Sequence, residues 1–365
     1  MFTAILKIVG PSAFTVTSRK SAREGGIDAF RALGALGVIQ LHFGAWRGAL
    51  WPGTDLGDLS TALSFVARMA VPFFFVTSGY LLARRGEPGT LAPAAWGQVR
   101  RILSLFATWS VIALAFRGVL RAVNRRSPWA VFEPLASFLH DLQARPIEFL
   151  LRGPEEHLWF LPALCAGIAL YVAMDAAPWL RRLRPFIAGL IGLLGLAAGS
   201  YGLLSLPVTL NPRSGPFLAF PLVTLGAVMA GRPRMRSTVA WVGVLSGFVL
   251  TGLEASWLSQ RQGASWTSHD ALLGFFVTGP FLLGLARRSE GTLIARMAVL
   301  GRMTLGVYAC HTLVAVLVID AARRLGDSAP PAALLELVAF GLIAFLSFGL
   351  ASLLSRFPST RRLVQ

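Results

Sequence analysis

The sequence has few charged residues and only two cysteines, and each shortage excludes a class of protein. Charged residues make up 14% of the 365 positions and hydrophobic residues 55%, so the chain is too apolar for an ordinary soluble domain. Both cysteines, Cys165 and Cys310, fall inside apolar segments without metal-site or disulfide spacing. We interpret them as small buried hydrophobic residues. No clear internal repeat is present, which weakens an inverted-repeat transporter interpretation.

Apolar runs recur along the whole chain, and each is about 17–23 residues long, which is enough to cross a bilayer as a helix. Proline, glycine, arginine and serine lie between the runs, as turns and helix ends require. The sequence therefore predicts an all-α polytopic membrane protein with about ten transmembrane helices and both termini cytoplasmic. The predicted spans are 27–47, 61–82, 99–120, 158–174, 185–206, 215–231, 237–258, 268–286, 302–320 and 333–355.

The predicted organisation is a single membrane domain over residues 27–355. Residues 1–26 are expected to form a cytoplasmic or interfacial segment, and residues 356–365 a cytoplasmic tail. The only long connection covers about 121–157 and is rich in aromatic residues. We expect it to pack as an outer cap with short helices.

The net charge of +17 raises the question of nucleic acid binding. With both termini cytoplasmic, about twice as many basic residues fall on the inner side of the predicted membrane as on the outer side. Membrane orientation and anionic lipid headgroups therefore explain the charge. We expect membrane lipids as partners and no nucleic acid.

The first predicted span carries Arg31 and His42, eleven residues apart. That spacing equals three helical turns plus about 20°, so both side chains share one helix face. The rise between them is about 16 Å, roughly half the hydrocarbon thickness. Asp28, one turn before Arg31, leaves two interpretations open. Arg31 is either an interfacial arginine paired with Asp28 or an anion site for a phosphorylated donor.

Two histidines are predicted at similar depth. His42 would lie near the bilayer centre, and His311 follows Arg302 by nine residues, about 13.5 Å. Tyr308 is one turn before His311 on the same face. Either histidine could be a hydrogen-bonded core residue, but polar groups at this depth are usually functional. A neutral His42 imidazole facing a water-filled cavity would be a competent general base for a hydroxyl group.

The second predicted span reads ARMAVPFFFVTSGYLLARR. Pro72 is expected to kink or thin the helix. Ser78 and Gly79 allow either close helix packing or close approach of a ligand, and these alternatives stay open. Arg68 must face protein or water.

The fourth predicted span opens with PEEHLWFLPAL. Glu155, Glu156 and His157 are expected at its outer edge, followed by Trp159. An interfacial aromatic belt explains Trp159 without any function. An acceptor arriving from outside would use the same position, because sugars stack on aromatic faces. Glu156, His157 and Trp159 are therefore a second candidate site.

Four segments in this order resemble the integral-membrane acyltransferase-3 family, namely GGIDAFRALGALGVIQLHF, VPFFFVTSGYLLARR, HLWFLPAL and RMTLGVYACH. They run from Ile27 to His311, most of the chain. That family includes bacterial O-acetyltransferases of surface glycans. The resemblance implies a multi-pass protein of the bacterial cytoplasmic (inner) membrane. It also implies acyl transfer from cytoplasmic acyl-CoA, usually acetyl-CoA, to a hydroxyl of an extracytoplasmic glycan or lipid-linked acceptor.

The resemblance also assigns roles. Its arginine–ten residues–histidine motif maps onto Arg31 and His42, and many members carry two arginines three apart where this chain has Arg100, Arg101 and Ser104. The expected groups are catalytic His42, His311 and Tyr308; donor-binding Arg31, Arg100, Arg101, Ser78 and Gly79; and substrate-binding Arg68, Glu156, His157 and Trp159. Acyl-CoA would be a donor substrate, with no tightly bound cofactor and no metal.

Two other functions compete with acyl transfer. A transporter or flippase for a lipid-linked or anionic substrate would use Arg31 and Arg68 as substrate charges and the histidines as a proton relay. Glu254 and Glu336 are the only obvious acidic candidates within the spans. A scaffold without turnover leaves the placement of Arg31 over His42 unexplained.

Overall fold

A computed structural model describes residues 19–50, 57–204, 213–263, 269, 271–324 and 332–364. Within these ranges the chain is helical and contains no β-strand. Short 3-10 helices cover Pro128–Phe132 and Glu156–Trp159. The α-helices are α1 (Arg19–Leu50), α2 (Gly57–Ala67), α3 (Ala70–Ala83), α4 (Ala92–Arg125), α5 (Glu133–Ala144), α6 (Pro146–Arg152), α7 (Phe160–Ala173), α8 (Pro178–Ala198), α9 (Pro216–Ala230), α10 (Ser237–Gln262), α11 (Leu273–Ala286), α12 (Thr292–Gly301), α13 (Thr304–Arg324), α14 (Ala332–Arg356) and α15 (Pro358–Arg361).

Six helical segments of the described chain are long and apolar enough to cross a membrane. They coincide with six of the ten predicted spans. Helices α9, α11 and the unpredicted α12 are apolar but shorter, while α1 and α8 are helical and fall outside the six. The count of ten and the cytoplasmic termini therefore stay predictions. The six segments are Thr61–Ala83, Ala92–Arg125, Glu156–Ala173, Ser237–Gln262, Thr304–Ala322 and Leu337–Arg356.

The ends of the predicted domain are described only in part. Residues 1–18 of the predicted N-terminal segment lie outside the described residues, and α1 begins eight residues before the predicted span. The 121–157 connection contains the end of α4, helices α5 and α6 and both 3-10 helices. Its placement as an outer cap stays a prediction.

The helix is interrupted near Pro72, where a kinked or thinned helix was predicted. Helix α2 ends at Ala67 and α3 starts at Ala70, so two residues separate them. Proline has no N–H and its ring clashes with the carbonyl four residues earlier, which here belongs to Arg68. The break falls at that residue.

The chain divides into two compact units. Unit 1 comprises Met1–Phe74, Arg234–Ser237 and Gly284–Gln365. Helix α1 is its centre and packs against α2, α12, α13 and α14. Gly301 permits the closest approach, because a Cβ at that position would lie 1.8 Å from the Asp28 carbonyl oxygen. The start of α1 therefore lies backbone to backbone against the end of α12.

Unit 2 comprises Phe75–Pro233 and Thr238–Leu283. Helix α9 packs against α7 and α8, and it crosses α3 at two glycines. A Cβ on Gly79 would lie 1.9 Å from the Val223 carbonyl oxygen, and one on Gly226 would lie 1.8 Å from the Val76 carbonyl oxygen. Each glycine thus faces the backbone of the other helix, which is the small-residue packing that membrane helices use.

The two ends of unit 2 differ in their connections. At the Trp159 end, α4, α8 and α10 finish while α7, α9 and α11 begin. At the opposite Asp175 end, a buried carboxylate in the connection between α7 and α8 binds the connection between α3 and α4 and a side chain of α8. Asp175 is 2% exposed; it accepts a hydrogen bond from the Gly89 N–H at 2.5 Å and pairs with the Arg184 guanidinium at 3.2 Å. Arg184 also lies over the Tyr171 ring, 3.9 Å from its centroid.

We expect Asp175→Ala to destabilise the protein by about 2–4 kcal/mol, because a buried guanidinium and a backbone N–H would lose their common acceptor. Thermal unfolding of the purified protein in detergent measures this. Glu87→Gln is the control, since Glu87 is an exposed acid in the loop that contains Gly89. Equal melting temperatures for the two variants would contradict a stabilising role for Asp175.

Candidate functional site

Unit 1 brings two histidines into contact. His42 lies on α1 and His311 on α13, and their ring centroids are 5.1 Å apart with the planes inclined by 52°. The rings therefore lie at one level of the unit, as counting along each helix predicts. Helix α1 is continuous from Arg19 to Leu50, which also confirms that Arg31 and His42 share one helix.

The hydrogen bonding of His311 sets its tautomer. Its Nδ1 lies 2.7 Å from the Tyr308 carbonyl oxygen. A carbonyl oxygen can only accept, so Nδ1 carries the proton and the lone pair of the neutral ring is on Nε2. The Tyr308 ring centroid is 6.2 Å from that of His311. His311 is buried, so its imidazole is fixed, whereas the half-buried imidazole of His42 is more accessible.

The two cysteines take no part in this pair. The Cys310 Sγ lies 3.8 Å from the Val307 carbonyl oxygen and 3.7 Å from that of Ser347. Cys165 is also a buried free thiol. Their interpretation as buried structural residues is confirmed. Among the described residues, no group of three histidine, cysteine or acidic side chains is arranged to hold a metal ion.

Arg31 is engaged with the acid one turn before it. Its guanidinium lies 3.0 Å from the Asp28 carboxylate, and both side chains are about one-quarter exposed, at 27% and 25%. The ion pair with Asp28, foreseen as one alternative, is therefore present, and its location at a membrane interface stays a prediction. An anionic donor would bind Arg31 only by sharing it with Asp28. Arg68, also in unit 1, lies in the two-residue break between α2 and α3.

The other predicted donor-binding residues lie in unit 2. Arg100 and Arg101 are exposed on α4, and Ser78 is half-buried on α3. Gly79 makes the helix-packing contact that was one of its two alternatives, because the α9 backbone occupies the space beside its α-carbon. Its role in donor binding stays a prediction. The loop after α3 is tied to α4 by a 3.2 Å hydrogen bond from Arg85 to Gln98.

The Trp159 end carries two neighbouring acids with opposite surroundings. Glu155 is buried and binds Arg117, whose side chain is half exposed, through a 2.8 Å hydrogen bond. Glu156 is 67% exposed and pairs at 3.2 Å with Arg213, whose side chain is only 15% exposed. In the first pair the more buried, fixed partner is therefore the anion Glu155, and in the second pair it is the cation Arg213.

Two of the predicted acceptor-binding residues at this end have surroundings that the sequence did not indicate. His157 is 3% exposed and lies inside unit 2, so it does not present a surface for an arriving acceptor. Trp159 is half-buried, and the Arg213 guanidinium lies over its ring, 5.3 Å from the centroid. One face of the indole therefore holds an arginine where a sugar was expected.

Three polar residues of unit 2 were not identified as candidate site residues from the sequence. Arg213 lies 54 positions after Trp159, and no spacing rule joins them. Thr77 and Thr224 are 3% exposed, and within the described part of the chain their hydroxyls have no hydrogen-bond partner. Threonines in an apolar run give no signal, whereas arginine at the edge of a span could have been flagged.

The described helices and the histidine pair define an all-helical, multi-pass membrane protein with a polar centre in unit 1. Comparison with known proteins gives its family. The acyltransferase-3 family, described as an acyltransferase domain, matches residues 24–356. The chain belongs to this family, and a membrane acyltransferase is the activity that the family supports.

Two curated relatives carry other names. A serine/alanine racemase of Enterococcus gallinarum is 25% identical over 275 residues, covering 72% of this chain and 36% of the relative. An amino-acid racemase of Enterococcus faecalis is 24% identical over 245 residues, covering 63% and 31%. The chain thus spans about a third of the length of these relatives, and their named activity is a property of those proteins. No solved structure matches the chain.

Proposed function

We propose that this protein is a membrane-bound O-acyltransferase that moves an acyl group, in the first instance acetyl, from acyl-CoA to a hydroxyl of a glycan or lipid-linked acceptor. The observation that carries the proposal is the contact between His42 and His311 in a chain whose residues 24–356 match an acyltransferase domain. The donor on the cytoplasmic side and the acceptor on the outer side of a bacterial inner membrane follow from the family resemblance.

In the proposed reaction, His42 is the general base. Its neutral imidazole takes the proton of the acceptor hydroxyl while the hydroxyl oxygen attacks the thioester carbonyl carbon. The C–S bond then breaks, the oxygen keeps the acyl group, and the proton returns to the departing sulfur to give the free thiol of CoA. Because His311 is held by the Tyr308 carbonyl, it supplies a fixed neighbour that limits how the His42 ring can turn.

The developing oxyanion of the thioester carbonyl needs a donor. Tyr308, His311 and Arg68 are the candidates from unit 1. Of these, Tyr308 is supported by the position of its ring beside His311. His311 is less suited, because its Nδ1–H is already donated to the Tyr308 carbonyl and Nε2 of the neutral ring can only accept. Arg31 in unit 1, and Arg100 and Arg101 in unit 2, are separate candidates for binding the CoA phosphates, because each is at least partly exposed to an arriving anion.

A proton-coupled transporter is less well supported. It would need an acid that can take up and release protons within the helices. Glu254 instead accepts hydrogen bonds from the Tyr201 hydroxyl at 2.6 Å, the Leu273 N–H at 2.8 Å and the Gly274 N–H at 3.3 Å. It caps the start of α11, where a carboxylate satisfies helix N–H groups. The Glu336 side chain lies outside the described residues.

The test uses purified full-length protein in detergent with acetyl-CoA and glycans and lipids extracted from the source cells. We expect thiol release that depends on the extract, together with an acceptor heavier by one acetyl group in mass spectrometry. A heat-inactivated sample is the control. Substrate movement across proteoliposomes without thiol release would contradict acyl transfer and favour the transporter.

A further inference from the structure

Arg213, at the Trp159 end, has a side chain that is held in place. Glu156, which pairs with it, is exposed and is not held in place. Its side chain is 15% exposed and stacks over Trp159, and the indole itself is packed against Phe75 at 6.4 Å and Phe160 at 6.3 Å between centroids. One carboxylate that it meets belongs to Glu156, which is 67% exposed. The arginine is therefore rigid, whereas Glu156 can leave by a change of rotamer.

The energetics favour exchange of this counter-ion. An ion pair with an exposed carboxylate is worth about 0–1 kcal/mol, so displacing Glu156 costs little. An incoming phosphate or carboxylate can form two parallel hydrogen bonds with a guanidinium, and such charge-assisted bonds are stronger than neutral ones. Because Arg213 is already ordered by its stacking, little side-chain entropy is lost when an anion binds.

The neighbouring pair shows that this arrangement is specific to Arg213. Arg117 is bound by the buried Glu155, so there the acid is fixed and the arginine is the exposed partner. Displacing Glu155 would leave a buried carboxylate uncompensated, which is strongly unfavourable. Of these two pairs, only that of Arg213 is built to release its carboxylate.

We propose that Arg213 binds an anionic group, a carboxylate or a phosphate, on the saccharide part of the acceptor, with Glu156 as the counter-ion that the acceptor displaces. The proposal rests on the acyltransferase function and narrows its substrate class to acidic glycans or sugar phosphates. Trp159 then serves as the platform that holds Arg213, and it is not a stacking surface for a neutral sugar.

Equilibrium binding to the full chain in detergent tests the proposal without requiring turnover. The probes are three oligosaccharides of equal length: one neutral, one containing uronates and one carrying a single phosphate. We expect both anionic probes to bind about 10–100-fold more tightly than the neutral one, with an advantage that shrinks as salt increases. Arg213→Gln should abolish the advantage, whereas Glu156→Gln should preserve or increase it.

The matched control is Arg261→Gln. Arg261 also lies over a tryptophan at this end, 5.5 Å from the Trp257 centroid, but it is exposed and its substitution should leave the preference intact. Arg213→Lys, which keeps the charge, should retain part of the preference and covers the case in which the glutamine variant fails to fold. Equal binding of neutral and anionic probes by the wild-type protein, or a preference that survives in Arg213→Gln, would overturn the proposal.

Failure of this proposal is distinguishable from failure of the acyltransferase function. Thiol release from acetyl-CoA is measured in the same preparations. Normal release with no preference for anionic probes would overturn only the role of Arg213. Absence of release with every extract and probe would count against acyl transfer itself. The preference of one anionic probe over the other then separates carboxylate-bearing from phosphate-bearing acceptors.

Discussion

His42→Ala is expected to lower the rate of acyl transfer by about 10²–10⁴-fold, the usual contribution of a positioned general base. The acceptor hydroxyl would then have to lose its proton to water while it attacks the thioester. Because the loss is confined to the chemical step, it should appear in kcat with little change in the KM for acetyl-CoA. Thiol release under saturating donor measures it.

The control for His42→Ala is His140→Ala. His140 lies on α5 with 84% of its side chain exposed. Its substitution therefore removes an imidazole without changing the contact between His42 and His311. Both variants must elute as monodisperse protein and melt near the wild-type temperature. A folded His42→Ala protein that acylates within twofold of the wild-type rate would remove His42 from the mechanism. We expect His311→Gln to be less damaging than His42→Ala, since its role is positional.

The second large effect is on folding. Gly226→Ala places a Cβ 1.8 Å from the Val76 carbonyl oxygen, and that oxygen belongs to the backbone of α3. A side chain could turn away, but a helix backbone must move as a whole, by roughly 1.5 Å to restore ordinary contact. We expect Gly226→Ala to destabilise by about 1–3 kcal/mol, and Gly226→Val to prevent recovery of folded protein. Thermal unfolding and the yield of monodisperse protein measure this.

Gly189→Ala is the matched control for Gly226→Ala. Gly189 lies within α8, and in the described part of the chain no atom beyond the neighbouring backbone of its own helix lies within 4 Å of where a Cβ would be. Alanine has a higher helix propensity than glycine, so this variant should be neutral or more stable by up to about 1 kcal/mol. Similar melting temperatures for Gly226→Ala and the wild-type protein would show that the crossing of α3 and α9 is looser than its geometry indicates.

Much of the helical architecture was readable from the sequence because its signal is local. Runs of apolar residues long enough to span a bilayer predicted six segments that the structure bears out. The break at Pro72 was likewise predictable, since it follows from one missing N–H. The short helix α12 was missed, because ten residues between Gly291 and Arg302 fall below the length of a span.

The candidate site was predictable in part. Counting residues along two helices placed His42 and His311 at equal depth, and their rings are in contact. Spacing within one helix also foresaw the pairing of Arg31 with Asp28. The sequence did not indicate surroundings that come from a distant part of the chain, since Gly79 faces α9 and Trp159 faces Arg213.

Local sequence was enough to identify a helical membrane protein of the acyltransferase-3 family, with an arginine and a histidine three turns apart on one face of the same helix. Helical periodicity and apolar length are properties of a continuous segment, so no tertiary contact is needed to state them. Only the tertiary structure decided which polar residues meet. The pairing of Arg213 with Glu156, and the tautomer of His311, depend on side chains and carbonyls brought together by packing.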